Sequence, residues 1–119
     1  MTYILVAISV TAMSGAQLML KRGLIEVGQF PGVKDALAFF LKAYTNGYVI
    51  GAVVLTVVTA LAWMSAVSKG ELSHLYPFMA LSYALVAIFS QFLFSESVSL
   101  TRWAGIAIIC VGVAIVGRT

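Results

Sequence analysis

Long apolar runs, most of them closed by a short polar cluster, are the main pattern of the sequence. Crossing about 30 Å of hydrocarbon takes roughly 20 apolar residues in a helix that rises about 1.5 Å per residue. Four runs approach that length, and Lys21-Arg22, Ser68-Lys69-Gly70 and Ser95-Glu96-Ser97 end the first three. The predicted spans are residues 3–20, 48–67, 73–94 and 100–116. The pattern therefore predicts an all-α fold, an integral membrane four-helix bundle, in one transmembrane domain over residues 1–119.

The connection between the first two runs has a helical pattern of its own. After Pro31-Gly32, residues 33–43 divide into an apolar and a polar face at helical spacing. The apolar face comprises Val33, Leu37, Phe40 and Leu41. The polar face comprises Lys34, Asp35, Ala38 and Lys42. This division predicts a short amphipathic helix in the membrane interface, or an amphipathic lead into the second span.

The composition agrees with a lipid environment. The mean hydropathy is +1.08, with 62% hydrophobic and 9% charged residues. A soluble domain of 119 residues could not bury that much apolar surface. The net charge is +3, and the cations flank apolar runs, which is typical of membrane anchors rather than of nucleic-acid binding.

The distribution of cations predicts how the chain is oriented. Four spans place the first and third connections on one side, together with Lys21, Arg22, Lys34, Lys42 and Arg102. The other side has Lys69 and Arg118. Because cytoplasmic loops carry the excess of Lys and Arg, we expect the first and third connections in the cytoplasm and both termini outside.

Polar and small residues recur at helical spacing along the first three spans. The first stripe comprises Ala7, Val10, Ser14, Gln17 and Lys21. The second comprises Ala52, Thr56, Thr59, Trp63 and Ala66. The third comprises Tyr76, Ala80, Tyr83, Ala87 and Ser90. Such residues avoid lipid tails, so the stripes indicate either plain helix packing or, taken together, the polar cavity of a transporter.

The fourth span differs from the others because it has almost no polar side chains. Gly105 and Gly112 are seven residues apart and therefore share a helix face that permits close backbone approach. We interpret this face as a helix-pairing seam. Four helices enclose little space, so a substrate pathway is expected to need a second copy or a related partner.

Catalytic chemistry has no support in the sequence. There is no HExxH, GxSxG, GxGxxG or P-loop motif, and the single histidine has no suitable nucleophile nearby. Cys110 lies deep in an apolar run and reads as a small hydrophobic residue. We predict no catalytic residue, metal or cofactor, and a protein that is not an enzyme.

Acidic residues are absent from the middle of every predicted span. All four, Glu26, Asp35, Glu71 and Glu96, lie in loops or at span ends. Proton-coupled export of cationic drugs normally depends on a carboxylate at membrane depth. This absence argues against such export.

The segment "ELSHLYP", residues 71–77, contains the only acid–imidazole pair, Glu71 and His74. These two residues are three apart and could pair on a helix. If Ser73 caps the third span, His74 is its first helical residue and Pro77 the fourth, where a missing N–H costs little. We interpret the segment as the mouth of a pathway rather than a reaction centre.

Several of these motifs together resemble the drug/metabolite transporter superfamily and its EamA-like unit. The resemblance covers nearly the whole chain. It rests on "SGAQLMLKRG" in the first span, on Tyr76-Pro77, on Glu96 after the third span, and on Ser99-x-x-x-Trp103-x-Gly105. The small multidrug resistance branch has a Glu in the first span, where this chain has Ala12-Met13-Ser14. The chain is more similar to the small subunits proposed to flip 4-amino-4-deoxyarabinose-phosphoundecaprenol.

The resemblance implies a carrier of an undecaprenyl-phosphate-linked sugar in the bacterial inner membrane. It also implies a dimer, either homomeric or with a related four-span subunit, in which Gly105 and Gly112 form the contact. Cations could gather the phosphate, and neutral side chains could donate hydrogen bonds deeper in the membrane. The predicted substrate-binding residues are Ser14, Gln17, Lys21, Trp63, Tyr76, Tyr83, Ser90 and Arg102.

Two alternatives remain open from the sequence. One is a small-molecule or cationic-drug exporter of the small multidrug resistance type. The other is a non-transporting accessory subunit of a membrane glycosyltransferase. The polar stripes favour transport, because a pure scaffold has no need of a polar interior.

Overall fold

Four long apolar helices, two shorter helices and a 3₁₀ turn make up the protein in a computed structural model that describes residues 1–119. The helices are α1 (Thr2–Val27), α2 (Ala36–Tyr44), α3 (Gly47–Lys69), α4 (Leu72–Leu75), α5 (Leu81–Leu93) and α6 (Leu100–Gly117), and the 3₁₀ turn is Tyr76–Ala80. Four segments are long and apolar enough to cross a membrane: α1, α3, α6 and the composite segment Leu72–Leu93. The predicted all-α fold with four spans is therefore confirmed.

The boundaries of the first span differ from the prediction. Helix α1 continues to Val27, beyond the predicted end at residue 20, and Gly28 (φ 105°) then ends it. Lys, Arg, Leu and Glu are good helix formers, so the charged cluster at Lys21-Arg22 does not interrupt the helix. The charges mark the end of the apolar run and not the end of the helix.

The predicted short helix in the first connection forms, over a narrower range. Helix α2 begins at Ala36, so Val33 and Asp35 lie before it. The apolar side chains of Leu37, Phe40 and Leu41 remain exposed, at 74%, 47% and 61%. Such a face is stable where lipid covers it, which agrees with a helix in the interface.

The third span is interrupted, which corrects the expectation of a helix capped by Ser73. The amides of His74 and Leu75 both donate to the carbonyl of Glu71, at 3.1 and 3.0 Å, so the helix begins one residue before Ser73. Pro77 has no N–H for the α-helical ladder, and the backbone from Tyr76 to Ala80 takes 3₁₀ geometry before α5 continues. The proline therefore lies inside the span and divides it.

Small residues bring α1 and α3 together in the main helix pair. Ala16, Ala52 and Ala66 are 2%, 3% and 0% exposed. A Cβ built on Gly15 would lie 3.3 Å from Leu55 Cδ1, and one built on Gly51 would overlap Met19 Cε. Close packing of small side chains is what holds helices together in lipid, where apolar burial contributes little.

The two ends of the bundle have different chemistry, because consecutive spans run in opposite directions. One end, called the basic end, has the last turns of α1, helix α2 and the start of α6, with Lys21, Arg22, Lys34, Lys42 and Arg102. The other, called the His74 end, joins the start of α1, the end of α3 and the 3₁₀ turn. A Cβ built on Gly70 would lie 3.5 Å from Thr2 Cγ2, and one on Gly117 would lie 3.1 Å from Phe78 Cζ.

Candidate functional site

The cations of the basic end are held by helix ends and by an aromatic neighbour. Lys21 and Arg22 lie on the last two turns of α1. Arg102 lies on the first turn of α6, where its backbone N–H donates a hydrogen bond to Ser99 Oγ at 3.1 Å. The Arg22 guanidinium lies 5.7 Å from the centroid of the Tyr48 ring, a cation–π geometry. Lys21 and Arg102 are exposed. This end of the bundle can attract an anionic headgroup.

A partly enclosed groove of about 340 Å³, called the α2 groove, lies between α1, α2 and α3. Its apolar lining includes Leu20, Leu24, Phe39, Phe40, Ala43 and Ala52. The polar side chains along it are Gln17, Thr56 and Tyr44. An adjoining cleft of about 460 Å³ shares Leu24 and Phe39 with the groove and is lined also by Lys21 and Gln29.

Gln17 and Lys21, two of the predicted binding residues, therefore lie on the same side of α1. Gln17 is exposed, and its amide nitrogen is 3.6 Å from Met13 Sδ, a weak acceptor. Its hydrogen-bonding capacity remains largely free for a ligand. Lys21 is one helical turn further along α1, closer to the end of that helix.

Ser14, a predicted binding residue, and two threonines of the second stripe form hydrogen bonds within their own helices. Ser14 is 4% exposed, and its Oγ donates to the Val10 carbonyl at 2.8 Å. Thr56 and Thr59 donate in the same way to Ala52 and Leu55, at 2.8 and 2.9 Å. These bonds satisfy the hydroxyls without a cavity. Within one chain these three hydroxyls therefore serve their own helices.

The remaining predicted residues lie apart from Lys21. Trp63 and Tyr76 meet near the His74 end, with ring centroids 5.9 Å apart in an edge-on arrangement. Tyr83 is 55% exposed on the side of α5, whereas Ser90 is 7% exposed near the end of α5 that meets the basic end. The structure therefore does not bring the predicted set into one site. Gln17 and Lys21 share a groove, and Trp63 and Tyr76 form a separate pair.

His74 has a partner that the sequence did not indicate. Its Nε2 lies 2.9 Å from the Tyr3 hydroxyl, and both rings pack edge-on against Phe78 at 5.8 and 6.0 Å. The predicted partner, Glu71, is instead an exposed residue whose backbone begins α4. Since Tyr3 and His74 are 71 residues apart, no local spacing could have identified this contact.

Phe39 and Phe40, which line the α2 groove, were likewise not among the predicted binding residues. The local pattern placed Phe40 on the apolar face of an interfacial helix, but it did not indicate a groove. The only available signal was the cluster of Phe30, Phe39 and Phe40 beside cations. Their rings lie 5.3–6.0 Å apart.

Four antiparallel apolar spans with a basic end are the architecture of a small multi-pass membrane protein. The profile of the EamA-like transporter family matches residues 3–118. The chain belongs to the EamA-like transporter family. The resemblance to the EamA-like unit and the predicted multi-pass membrane location are therefore confirmed.

Curated relatives of known name agree with this family. A protein of Pseudomonas syringae pv. syringae (strain B728a), named probable 4-amino-4-deoxy-L-arabinose-phosphoundecaprenol flippase subunit ArnE, is 30% identical over 94 residues, or 76% of each chain. Proteins of the same name from Hamiltonella defensa and Pseudomonas aeruginosa (strain LESB58) are each 36% identical over 49% and 50% of this chain. In those two alignments the chain spans about half of the relatives' length, 52% and 51%. No solved structure matches the chain.

Proposed function

We propose that the protein is part of a lipid flippase that moves a polyprenyl-phosphate-linked aminosugar across the bacterial inner membrane. The observation that carries this proposal is the juxtaposition of one exposed cation, Lys21, with a partly open apolar groove. A lipid-linked sugar has an anionic headgroup and a long apolar tail, and these two features complement the two parts of the basic end. The names of the relatives supply the substrate class.

In this proposal, transport requires a dimer of four-span subunits. Grooves within one chain are lined mostly by apolar side chains, so one chain offers a sugar few hydrogen-bonding groups. A second four-span subunit, either another copy or a related chain, would enclose the exposed polar side chains Gln17, Tyr76 and Tyr83. Gly105 and Gly112 on α6 are proposed to form the contact, because a Cβ at either glycine meets nothing within 4 Å in the single chain. The α6 face is therefore available for another helix.

Each predicted residue has a role in this proposal. Lys21 and Arg102 attract the phosphate, Gln17 donates to the headgroup as it leaves the interface, and Ser14 supports the close packing of α1. Trp63, Tyr76, Tyr83 and Ser90 line the route towards the His74 end. No covalent step is required, since translocation changes only the leaflet.

Reconstitution into liposomes tests the proposed activity. A lipid-linked 4-amino-4-deoxyarabinose has a primary amine that a membrane-impermeant amine reagent modifies only in the outer leaflet. In liposomes containing the protein, alone or with a related four-span subunit, we expect the lipid-linked sugar of the inner leaflet to become accessible to the reagent. Empty liposomes and liposomes with an unrelated four-span protein are the controls. An unchanged inner pool in both assemblies would contradict the proposal.

Three variants separate a carrier from an accessory subunit in the same assay. Gln17→Ala, Lys21→Ala and Tyr83→Phe remove polar groups without touching the glycines of α6. A carrier is expected to lose transport in at least one of them, most strongly in Lys21→Ala. If all three retain full transport while Gly112→Leu abolishes it, the protein acts as a scaffold for another component.

A further inference from the structure

The α2 groove has a built shape that the proposed function does not by itself require. Ala16 and Ala52, at 2% and 3% exposed, form a floor of small side chains between α1 and α3. Phe39 and Phe40 of α2 lie over the groove. Their rings are 5.3 Å apart, and Phe30 packs edge-on against Phe39 at 5.4 Å. A floor of small residues under an aromatic cover leaves a slot for a chain rather than a contact surface for a helix.

The polar groups lie at positions that give the slot a direction. Gln17 lies along the groove, and Lys21 lines the adjoining cleft that shares Leu24 and Phe39. Lys21 is one turn closer than Gln17 to the end of α1 at the basic end. An amphiphile in the slot would therefore have its anionic group at Lys21 and its apolar chain along Phe39 and Phe40.

We propose that the α2 groove binds the first isoprene units of a polyprenyl phosphate, with the phosphate at the ammonium of Lys21. This inference rests on the proposed function and assigns its lipid to a particular site. The groove has a volume of about 340 Å³, so it can hold only the first part of a polyprenyl chain, and the remaining tail would extend into bulk lipid.

Photolabelling in liposomes tests the site. The probe is a polyprenyl phosphate with a diazirine in the isoprene unit next to the phosphate, in phosphatidylcholine vesicles containing the full chain. We expect mass spectrometry to locate the label on α2 and on the facing residues of α1 and α3. Unlabelled polyprenyl phosphate should compete, whereas an equal excess of phosphatidylglycerol should not. Equal competition by phosphatidylglycerol would identify a general phospholipid crevice and overturn the proposal.

Two neighbouring valines supply a matched pair of variants. Val53 lines the groove and is 44% exposed, whereas Val54 is 57% exposed and lies outside its lining. Val53→Trp should fill the slot and lower the labelling about tenfold, and Val54→Trp should label like the unmodified protein. Equal thermal stability of the two variants in detergent shows that both are folded. If both label equally, the groove is not the binding site.

The role of Lys21 is tested with a probe that lacks the phosphate. Lys21→Ala should lower labelling by the polyprenyl phosphate about tenfold, and Lys21→Arg should restore most of it. Labelling by the corresponding diazirine polyprenol should be the same in all three proteins. If Lys21→Ala lowers the polyprenol labelling as well, the lysine does not act through the phosphate and this part of the assignment fails.

Failure of the site and failure of the proposed function have different signatures. Transport with label confined to other helices would overturn the α2 groove and leave the flippase intact. Specific labelling in the groove without transport in either assembly would retain the lipid site and contradict the flippase.

Discussion

The corner where α1 meets the start of α3 depends on three residues. Asn46 Oδ1 accepts from the amides of Tyr48 and Val49 at 2.9 and 3.4 Å, so it caps α3. Its Nδ2 donates to Glu26 Oε2 at 2.9 Å, which ties the cap to α1. Gly23 lies under this corner, where any side chain would meet Val49 Cγ2 at 2.6 Å and Asn46 Oδ1 at 2.9 Å. The corner therefore needs a residue without Cβ.

Replacement of Gly23 by valine should lower the stability of the protein. The Cβ of the new side chain alone would lie 3.0 Å from the backbone N of Val49. Overpacking of this kind typically costs about 1–3 kcal/mol. Thermal unfolding in detergent, followed by circular dichroism, measures the change. Gly47→Ala is the control, because a Cβ at Gly47 meets nothing within 4 Å and helix propensity favours alanine by up to about 1 kcal/mol. Equal unfolding temperatures for the two variants would refute the close contact.

At the scale of elements, the third span is the exception among the four. Its 3₁₀ turn, Tyr76–Ala80, separates α4 from α5 and contains Phe78, which packs against both Tyr3 and His74. At the other end of α5, Ser95 takes a left-handed conformation (φ 54°), and the amide of Glu96 donates to the Ser90 carbonyl at 3.5 Å. A short 3₁₀ stretch within a span is a natural place for bending, so we assign the moving element of the transport cycle to it.

Pro77→Ala should make the span stiffer and slow transport. Alanine restores the missing N–H, and relief of a proline inside a helix can contribute up to about 3 kcal/mol. We expect a higher unfolding temperature and a transport rate reduced about fivefold or more in the amine-accessibility assay. Pro31→Ala is the matched control, since Pro31 lies in the exposed connection before α2. An unchanged rate in Pro77→Ala would show that the 3₁₀ turn is not a hinge.

On the scale of the whole molecule, α6 and the third span, Leu72–Leu93, are the two least covered spans. Ile106 and Val113 are buried on one side of it, while Gly105 and Gly112 are exposed. Only 17 of 119 residues are buried, so most of the chain's apolar surface must face lipid or a second subunit.

Gly112→Leu should weaken dimerisation and leave the monomer folded. A Cβ at Gly112 meets nothing within 4 Å in the chain itself, whereas a leucine there would prevent close approach of a partner helix. We expect the dissociation constant in detergent, measured by light scattering across a dilution series, to rise about tenfold or more. Ala114→Leu lies on the opposite side of α6, two residues or about 200° away, and should have no such effect. A similar loss in both variants would place the interface elsewhere.

The orientation of the chain is tested with single cysteines at the two ends. Ser97 lies at the basic end and Ser68 at the His74 end, and both are exposed. In a Cys110→Ser background, a membrane-impermeant maleimide added to intact spheroplasts should label Ser68→Cys and spare Ser97→Cys. The expectation follows because the basic end has five Lys and Arg residues and the His74 end has two, and the side with more cations faces the cytoplasm. Labelling of Ser97→Cys alone would reverse the orientation, and labelling of both would indicate dual insertion.

Sequence patterns were sufficient for the spans, the short helix α2 and the family, because each depends on properties of consecutive residues. Hydropathy over about 20 residues defines a span, and helical spacing defines the face of an amphipathic helix. Helix α3 begins at Gly47, one residue before the predicted start of the second span at residue 48. Local patterns failed where two local interpretations competed, as at Ser73, where the carbonyl of Glu71 rather than the serine hydroxyl begins the helix.

The grooves and partner contacts required the folded chain. Whether Ser14 faces a cavity or its own helix, and whether His74 meets Glu71 or Tyr3, depends on how helices distant in sequence pack. The α2 groove exists because α2 folds back over small residues on α1 and α3, which lie far apart in the sequence. Periodicity predicts that a face is buried, but the identity of its neighbour is decided by packing, because many helix pairings satisfy the same local pattern.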